Sequence, residues 1–175
     1  MSPCLKSAAG RKNQKSKKLR KIQEKLKNAL SLRKIEKYLA SSKTYIGAFH
    51  LDSFKKLLVK MKRFSAIFYC NFHWFCVYST EKTFEIFDPL GFLQKSKCLT
   101  KKFFKFIKTF IPGKIFHSNP QIQSNDSFLC GYYVIFYIYM RDMGHSFSDI
   151  LRKFSHNLKN NDNFVYKCVR KMFKK

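Results

Sequence analysis

The clearest hydrophobic pattern in the chain is a group of three short runs in which apolar and aromatic residues predominate. They cover Ser65 to Cys70, His73 to Ser79 and Thr83 to Phe87, with short polar breaks between them. Runs of this length and composition are typical of β-strands joined by tight turns. Asp88-Pro89 ends the third run, because proline lacks the N–H that a central strand needs. The pattern predicts a small antiparallel sheet with Asp88 at the end of a strand.

Helical periodicity is found on both sides of these runs. Apolar residues from Leu19 to Leu39 recur at loosely helical spacing within a basic segment, which predicts one amphipathic helix. A second helix is predicted from Lys101 to Ile111, where four apolar side chains share one face and Pro112-Gly113 ends the helix. These four side chains are Phe103, Phe104, Ile107 and Phe110.

The C-terminal part of the chain is predicted to be helical as well. The run from Phe128 to Met143 is almost wholly apolar and starts with Cys130-Gly131, a pattern typical of a buried helix. Ser146 and Asp149 have the spacing of a capping box, and a terminal helix is predicted over residues 164–172. The elements together predict an α+β fold, in which helices flank a small antiparallel sheet and one helix opens at Cys130.

Positive charge is concentrated near the N-terminus. The chain has 175 residues, with 36 lysines and arginines against 10 acidic residues and a formal net charge of +26. Fourteen of these cations lie within residues 1–45, where Glu24 and Glu36 are the acidic residues. We therefore expect a basic tail and amphipathic helix over residues 1–44 and a single folded domain over residues 45–175.

A charge of this size exceeds what solubility requires and indicates a polyanionic partner. Nucleic acid is the leading candidate. An anionic membrane surface is the alternative, but the longest apolar stretch, Tyr132 to Met140, is too short for the roughly 20 residues that span a bilayer. No signal peptide is expected, because the N-terminus lacks an apolar core. The residues expected to contact nucleic acid are Lys12, Lys15, Lys17, Lys18, Arg20 and Lys21.

The six cysteines and five histidines lack the spacings that usually hold a metal. The sequence contains no CxxC, HxxxH or HExxH motif. We therefore expect neither a zinc site nor a framework of disulfides, and we expect a reducing, intracellular setting. The chemistry of this protein is expected to need no metal and no organic cofactor.

Cys130 is the strongest candidate for a reactive side chain. A cysteine attacks an amide as the thiolate, and backbone dipoles at a helix N-terminus stabilise that anion. A cysteine beside an apolar run is by itself more often a small core residue. Two neighbouring features favour a nucleophile instead. Gly131 permits close approach of the backbone at the helix start, and the polar segment from Gln123 to Ser127 provides an exposed loop before it.

Three further residues supply the other roles that thiol chemistry needs. His73, in a predicted strand, is the candidate base for the thiol. Asp88 is the candidate acceptor for the second ring nitrogen, since antiparallel neighbours can lie side by side. Gln123, together with the Cys130 N–H, is the candidate donor to an oxyanion. Each residue alone has a commoner interpretation: a half-buried strand histidine, a turn aspartate and a solvated glutamine. The hypothesis depends on their combination.

The same residues lie in three motifs that follow one another along the chain. These are His73-Trp74, the block from Phe87 to Phe92 that reads Phe-Asp-Pro-Leu-Gly-Phe, and Gln123 followed seven positions later by Cys130-Gly131. From about Tyr45 to Tyr139 their order and spacing resemble the adenain family, the adenovirus maturation proteases. The order is also similar, more distantly, to that of the SUMO-specific Ulp proteases.

This resemblance implies a cysteine protease fold of the adenain and Ulp type, with the nucleophile at a helix N-terminus and His73, Asp88, Gln123 and Cys130 as catalytic residues. It also implies capsid or core precursor polypeptides as substrates, DNA as a polyanionic activator, and the host nucleus and virion as the location. Adenain usually has glutamate at the position of Asp88 and Gly-Pro after its glutamine, where this chain has Ser124-Asn125.

The activating peptide of adenain offers a further comparison. In that family it is disulfide-linked to a cysteine shortly before the glutamine. No cysteine lies between Cys98 and Cys130 here, so this mode of activation is not expected, and the identity of any activating peptide stays open.

Three other functions are consistent with the residues. A deconjugase of SUMO-like or ubiquitin-like modifiers would use the same chemistry but would need a surface that grips a folded modifier. An acyltransferase would use the same histidine, acid and cysteine. A non-enzymatic nucleic-acid-binding protein would explain the charge alone and leave the catalytic set as a coincidence.

Overall fold

The computed structural model describes residues 29–51, 62–91 and 101–173, excluding the side chains of 101, 102, 106 and 110. Five strands and five helices lie in these ranges. The strands are β1 (Tyr45–His50), β2 (Phe64–Cys70), β3 (His73–Ser79), β4 (Thr83–Phe87) and β5 (Ile115–Ser118). The helices are α1 (Leu32–Leu39), α2 (Lys101–Phe110), α3 (Cys130–Asp142), α4 (Phe147–Leu151) and α5 (Leu158–Met172).

The strands form one mixed sheet in the order β1-β2-β3-β4-β5. Its three central strands are antiparallel and match the predicted runs to within one residue at each end. The edge strands differ from the prediction, because β1 runs parallel to β2 and β5 runs parallel to β4. The predicted α+β class is therefore confirmed, while the purely antiparallel sheet holds only for the three central strands.

The two edge strands lack the pattern by which a sequence signals a strand. In β1 the pairing with β2 shifts register between Tyr45 and Ala48, and Gly47 within this interval has a φ of 139°. β5 has four residues, and Ile115 and Phe116 at its start are exposed. Neither segment alternates between buried and exposed positions, so the hydrophobic pattern of the sequence does not indicate a strand there.

Side chains cover both faces of the sheet. Trp74, Cys76 and Tyr78 of β3 face the larger core, which also contains α3 and the apolar sides of α1, α4 and α5. Phe75 and Val77 face a second core, closed by Phe103 and Ile107 of α2. Of the four side chains predicted to share one face of α2, Phe103 and Ile107 are buried, Phe104 is 41% exposed, and the side chain of Phe110 lies outside the described part of the structure. Phe103 and Ile107, four residues apart, form the buried stripe.

Helix α3 lies at the centre of the larger core, and ten of its residues are buried. Arg141 fixes its C-terminal end to the sheet, through bonds of 2.9 and 3.0 Å to the two carboxylate oxygens of the buried Glu85 in β4. The Tyr137 hydroxyl donates to the same carboxylate at 2.5 Å. A bidentate pair of this kind sets orientation as well as distance, so α3 and β4 hold a defined relative position.

The first described helix belongs to the same folded unit. Leu30, Ile35 and Leu39 are buried in the larger core. A Cβ atom at Gly131 would lie 3.1 Å from the Leu30 Cβ, so glycine allows α1 to approach the start of α3 closely. Helix α1 covers only the C-terminal end of the predicted basic helix. Residues 1–28 lie outside the described residues, and the domain boundary at residue 44 stays a prediction.

Helix α4 begins with the predicted capping box, in which Ser146 and Asp149 bond reciprocally. Helix α5 begins at Leu158, six residues before the predicted stripe, because the Asn157 side chain accepts bonds from the Lys159 and Asn160 N–H groups. No helix within the three described ranges is long and apolar enough to span a bilayer.

Candidate active site

Cys130 is the first residue of α3 and is 5% exposed. The Leu129 carbonyl begins the helical bonding by accepting the N–H groups of Tyr132 and Tyr133. N–H groups in the first turn of a helix have no intrahelical acceptor, and the helix dipole there favours negative charge. This position suits both a thiolate and an oxyanion that accepts the Cys130 N–H.

His73 is the first residue of β3, directly after the turn that joins it to β2. The turn residues Asn71 and Phe72 have φ values of 46° and 62°, and Cys70 pairs with His73 across it. Two left-handed residues between paired strands are typical of a tight hairpin whose twist matches that of the strands. The hairpin therefore holds a buried His73 at the end of the sheet.

Asp88 follows β4 directly and is 1% exposed. Its Oδ1 lies 2.7 Å from His73 Nε2 and accepts the Leu90 N–H at 2.9 Å. The β3–β4 register places Asp88 diagonally across from His73, on the same side of the pair, rather than directly opposite. The carboxylate therefore engages one ring nitrogen of the histidine, as the sequence predicts.

The main chain of Asp88 is held by a residue that the sequence analysis did not single out. The Asn119 side chain accepts the Asp88 N–H at 2.8 Å and donates to the Asp88 carbonyl at 2.7 Å. Asn119 is buried in the loop after β5. It lies in a segment that the sequence marks only as a polar break, and its partner is 31 residues away. No local pattern could reveal this contact.

The Cys130 side chain lies close enough to His73 to affect the charge of its ring. Because Nε2 faces Asp88, we assign the Cys130 contact to Nδ1. Burial lowers the pKa of His73, but the hydrogen bonds and negative charges of Asp88 and Cys130 outweigh it and raise the pKa to about 10. The imidazole is therefore held as imidazolium at neutral pH, between the Asp88 carboxylate and the Cys130 sulfur.

Gln123 lies in the loop that leads into α3 and is 1% exposed. Its N–H donates to the Pro89 carbonyl at 2.9 Å, which ties this loop to the residue after Asp88. Its Nε2 donates one hydrogen to the Ser127 carbonyl at 2.9 Å. This acceptor fixes the orientation of the amide and leaves the second N–H of Nε2 for another acceptor. Among the described residues, the buried Oε1 has no hydrogen-bond partner.

An apolar cavity of about 430 Å³ lies beside this group. Phe72 and Trp74, which flank His73 in the sequence, contribute to its wall, and Phe128 contributes from the loop before Cys130. The Trp74 ring packs on Tyr69 with centroids 4.5 Å apart. Trp74 is thus both a packing residue and part of the cavity wall.

The sequence also predicts nucleic-acid-binding residues and no metal site. The six basic residues expected to bind nucleic acid, from Lys12 to Lys21, lie outside the described residues. Within the described ranges, no group of three or more histidine, cysteine or acidic residues is arranged to hold a metal. Cys76 in β3 is fully buried, and burial raises the pKa of its thiol.

We expect Asp88→Asn to reduce turnover partially, by no more than about 10⁴-fold. Asparagine keeps the size of the side chain but removes the charge that stabilises the imidazolium. Because Asp88 raises the pKa of His73, its neutralisation lowers that pKa, so the alkaline limb of kcat/KM should move to lower pH. A pH profile of both proteins measures the shift, and an unchanged alkaline limb would contradict the electrostatic role of Asp88.

Comparison with known proteins adds information on the fold. No protein-family model matches the chain, and no curated protein matches it in sequence. Its structure is similar to the central domain of the uncharacterized Lpg1148 protein from Legionella pneumophila, with a TM-score of 0.51 and 15% identity over 83% of this chain and 96% of that chain. It is also similar to the SUMO protease Ulp1, with a TM-score of 0.38 and 13% identity over 82% of this chain and 77% of that chain.

Proposed function

We propose that this chain is a cysteine peptidase that hydrolyses peptide bonds through a thioester intermediate. The observation that carries the proposal is the His73 ring, which bonds Asp88 through one nitrogen and contacts the Cys130 thiol, itself at the start of a buried helix. A base, an orienting carboxylate and a nucleophile in this relation are what acyl transfer to sulfur requires.

Each residue has a defined role in the proposed reaction. The Cys130 sulfur, as the thiolate paired with the protonated His73 ring, attacks the carbonyl carbon of the substrate. The oxyanion accepts the Cys130 N–H and the second N–H of Gln123 Nε2. The imidazolium then protonates the departing amine as the C–N bond breaks, which leaves a thioester. Water, deprotonated by the now neutral His73, attacks the thioester and releases the acid and the Cys130 thiolate, which restores the starting pair of thiolate and protonated ring.

A covalent probe tests the nucleophile directly. A peptide vinyl sulfone should modify the native chain at Cys130, because this thiol lies beside the His73 imidazole at the start of a helix. Cys130→Ser should abolish labelling. The matched control is Cys168→Ser, which removes a half-buried thiol whose pKa is raised, chiefly by burial, and should leave labelling intact. Mass spectrometry identifies the modified residue, and labelling of Cys70 instead would overturn the assignment.

Within peptide hydrolysis, we propose a role in virion maturation, with capsid or core precursor polypeptides as substrates in the host nucleus and virion. The support is the adenain-like spacing of His73-Trp74, the block from Phe87 to Phe92, and Gln123 with Cys130-Gly131. A deconjugase would cleave modifiers with a C-terminal fluorophore, and a maturation protease would prefer unfolded precursor sequences. Parallel assays on SUMO-like, ubiquitin-like and precursor-derived substrates separate the two. An added amine nucleophile that captures the acyl group would indicate a transferase.

We further propose that DNA is a partner of this protein, on the basis of its net charge of +26. Lysine and arginine displace condensed counterions from phosphates, so duplex DNA should bind without sequence preference. The logarithm of affinity should fall linearly with the logarithm of salt concentration, with a slope of about 0.9 per phosphate contact. Fluorescence anisotropy at several salt concentrations measures the slope, and an affinity independent of salt would contradict the proposal.

The basic tail can be tested by charge alone. Changing Lys12, Lys15, Lys17 and Lys18 to glutamine should reduce the salt slope, and the charge of the folded part should retain some binding. Peptide cleavage measured with and without DNA then shows whether DNA activates the enzyme. Binding that leaves the rate unchanged would restrict the tail to localisation.

A further inference from the structure

Two buried polar residues in the first turn and a half of α5 contact the loop that carries Gln123. Asn161 and Asp162 are 2% and 8% exposed, among the apolar residues that pack α5 against the core. A buried amide and a buried carboxylate cost stability unless they are bonded, so their partners indicate why they are there.

Asn161 holds the residue immediately before Gln123. Its Nδ2 donates to the Ile122 carbonyl at 3.0 Å and to the Ser155 carbonyl at 2.8 Å. Its Oδ1 accepts the Ser155 N–H at 2.8 Å. Both ends of the amide are thus used, which fixes the rotamer of Asn161 and with it the position of the Ile122 carbonyl.

Asp162 faces the chain on the other side of Gln123. Its side chain lines a small cavity together with Ser124 and Ser127, and these two residues partly offset the rise in its pKa that burial causes. The Tyr133 hydroxyl lies 2.9 Å from Asp162 Oδ1 and 3.1 Å from the Ile122 carbonyl, so this ring of α3 joins the two attachments. Ser127 is also the residue whose carbonyl orients the Gln123 amide.

We propose that Asn161 and Asp162 are positioning residues that hold Gln123 in place as the oxyanion donor. The Pro89 carbonyl bonds the Gln123 loop from the side of Asp88. Asn161 of α5 bonds the Ile122 carbonyl directly, and Asp162 is linked to the same carbonyl through the Tyr133 hydroxyl. The inference rests on the proposed peptidase function. It assigns to α5 a part in catalysis that requires no contact with the substrate. The position of Gln123 matters because an oxyanion donor displaced by about 1 Å loses much of its effect.

A double-mutant cycle with Gln123 tests this proposal. Gln123→Ala should lower kcat by about 10² to 10³-fold. Asp162→Ala should lower kcat by about 10 to 100-fold with little change in KM, since Gln123, which Asp162 positions, stabilises the transition state. In the Gln123→Ala background, Asp162→Ala should cost less than about threefold, because its effect passes through the missing amide. Asp162→Asn, which keeps an acceptor oxygen, should recover part of the loss.

Two further measurements separate positioning from a general effect on folding. The affinity of a peptide aldehyde, which forms an oxyanion-like adduct, should fall in parallel with kcat, whereas alkylation of Cys130 by iodoacetamide should keep its rate. Asn161→Ala should behave like Asp162→Ala, and Asn160→Ala, at the exposed neighbouring position, is the matched control.

The assignment of Asn161 and Asp162 would be overturned if the kcat losses of Gln123→Ala and Asp162→Ala multiply in the double mutant. It would also be overturned if the alkylation rate of Cys130 falls together with kcat. If Asp162→Ala does not fold, the same cycle with Asp162→Asn decides the question. A native chain that neither hydrolyses peptides nor is labelled at Cys130 would instead overturn the proposed function itself.

Discussion

Cys130→Ala is expected to abolish peptide hydrolysis, with a fall in kcat of about 10⁶-fold and little change in fold. The thiolate forms the covalent intermediate, so no other group in the site can replace it. Alanine fits the space, because Cys130 is a small buried side chain at a helix start. Hydrolysis of a fluorogenic peptide measures the loss, and circular dichroism with a thermal melt verifies the fold.

Cys76→Ala provides the matched control for this experiment. Cys76 lies in β3, is fully buried, and carries a thiol whose pKa is raised, chiefly by burial. Its removal should cost stability but leave kcat close to the native value. Hydrolysis that survives Cys130→Ala and is lost in Cys76→Ala would overturn the proposed nucleophile.

His73→Ala is expected to reduce kcat to nearly the same level as Cys130→Ala. The ring protonates the departing amine and later deprotonates the attacking water, so two steps lose their proton carrier. The double variant His73→Ala with Cys130→Ala should be no less active than either single variant, because the two groups act as a unit. Single-turnover kinetics on all three proteins measures this, and independent, multiplying losses would contradict the proposed pairing.

The protonation of His73 can be followed separately from catalysis. Its pKa of about 10 means that the ring stays protonated through pH 8, where an ordinary imidazole is neutral. Nitrogen chemical shifts of the histidine rings report this directly. In Asp88→Asn the His73 signal should titrate at lower pH, whereas the four other histidines should keep their behaviour. A His73 ring that is neutral at pH 8 in the native chain would contradict the charged pair.

The central strands and the candidate site could be predicted because their signals are local. Aromatic runs with short polar breaks define β2, β3 and β4, and the predicted residues His73 and Asp88 lie at strand ends that antiparallel pairing brings together. The apolar run after Cys130 likewise specifies a buried helix that opens at this residue. Each of these elements requires only a pattern within about a dozen residues, whereas the site hypothesis combines residues from four such segments.

The groups that support the site were not predicted, because their partners are distant in sequence. Asn119 bonds Asp88 from 31 residues away, and Asn161 bonds Ile122 from 39 residues away. An asparagine in a polar break or near a helix start has an ordinary local explanation as a turn or cap residue. The parallel edge strands were missed for a similar reason, since their place is set by the strands beside them.

The contact between Leu30 and Gly131 limits how far DNA bound by the basic tail could lie from Cys130. Leu30 packs against the residue that follows the nucleophile, and Lys21 precedes Leu30 by nine residues. A chain of that length spans at most about 32 Å. DNA bound by the basic tail would therefore be held close to Cys130. A precursor bound to the same duplex would be present near the apolar cavity at a raised effective concentration. The tail would then confine the search for a precursor to the DNA that it binds.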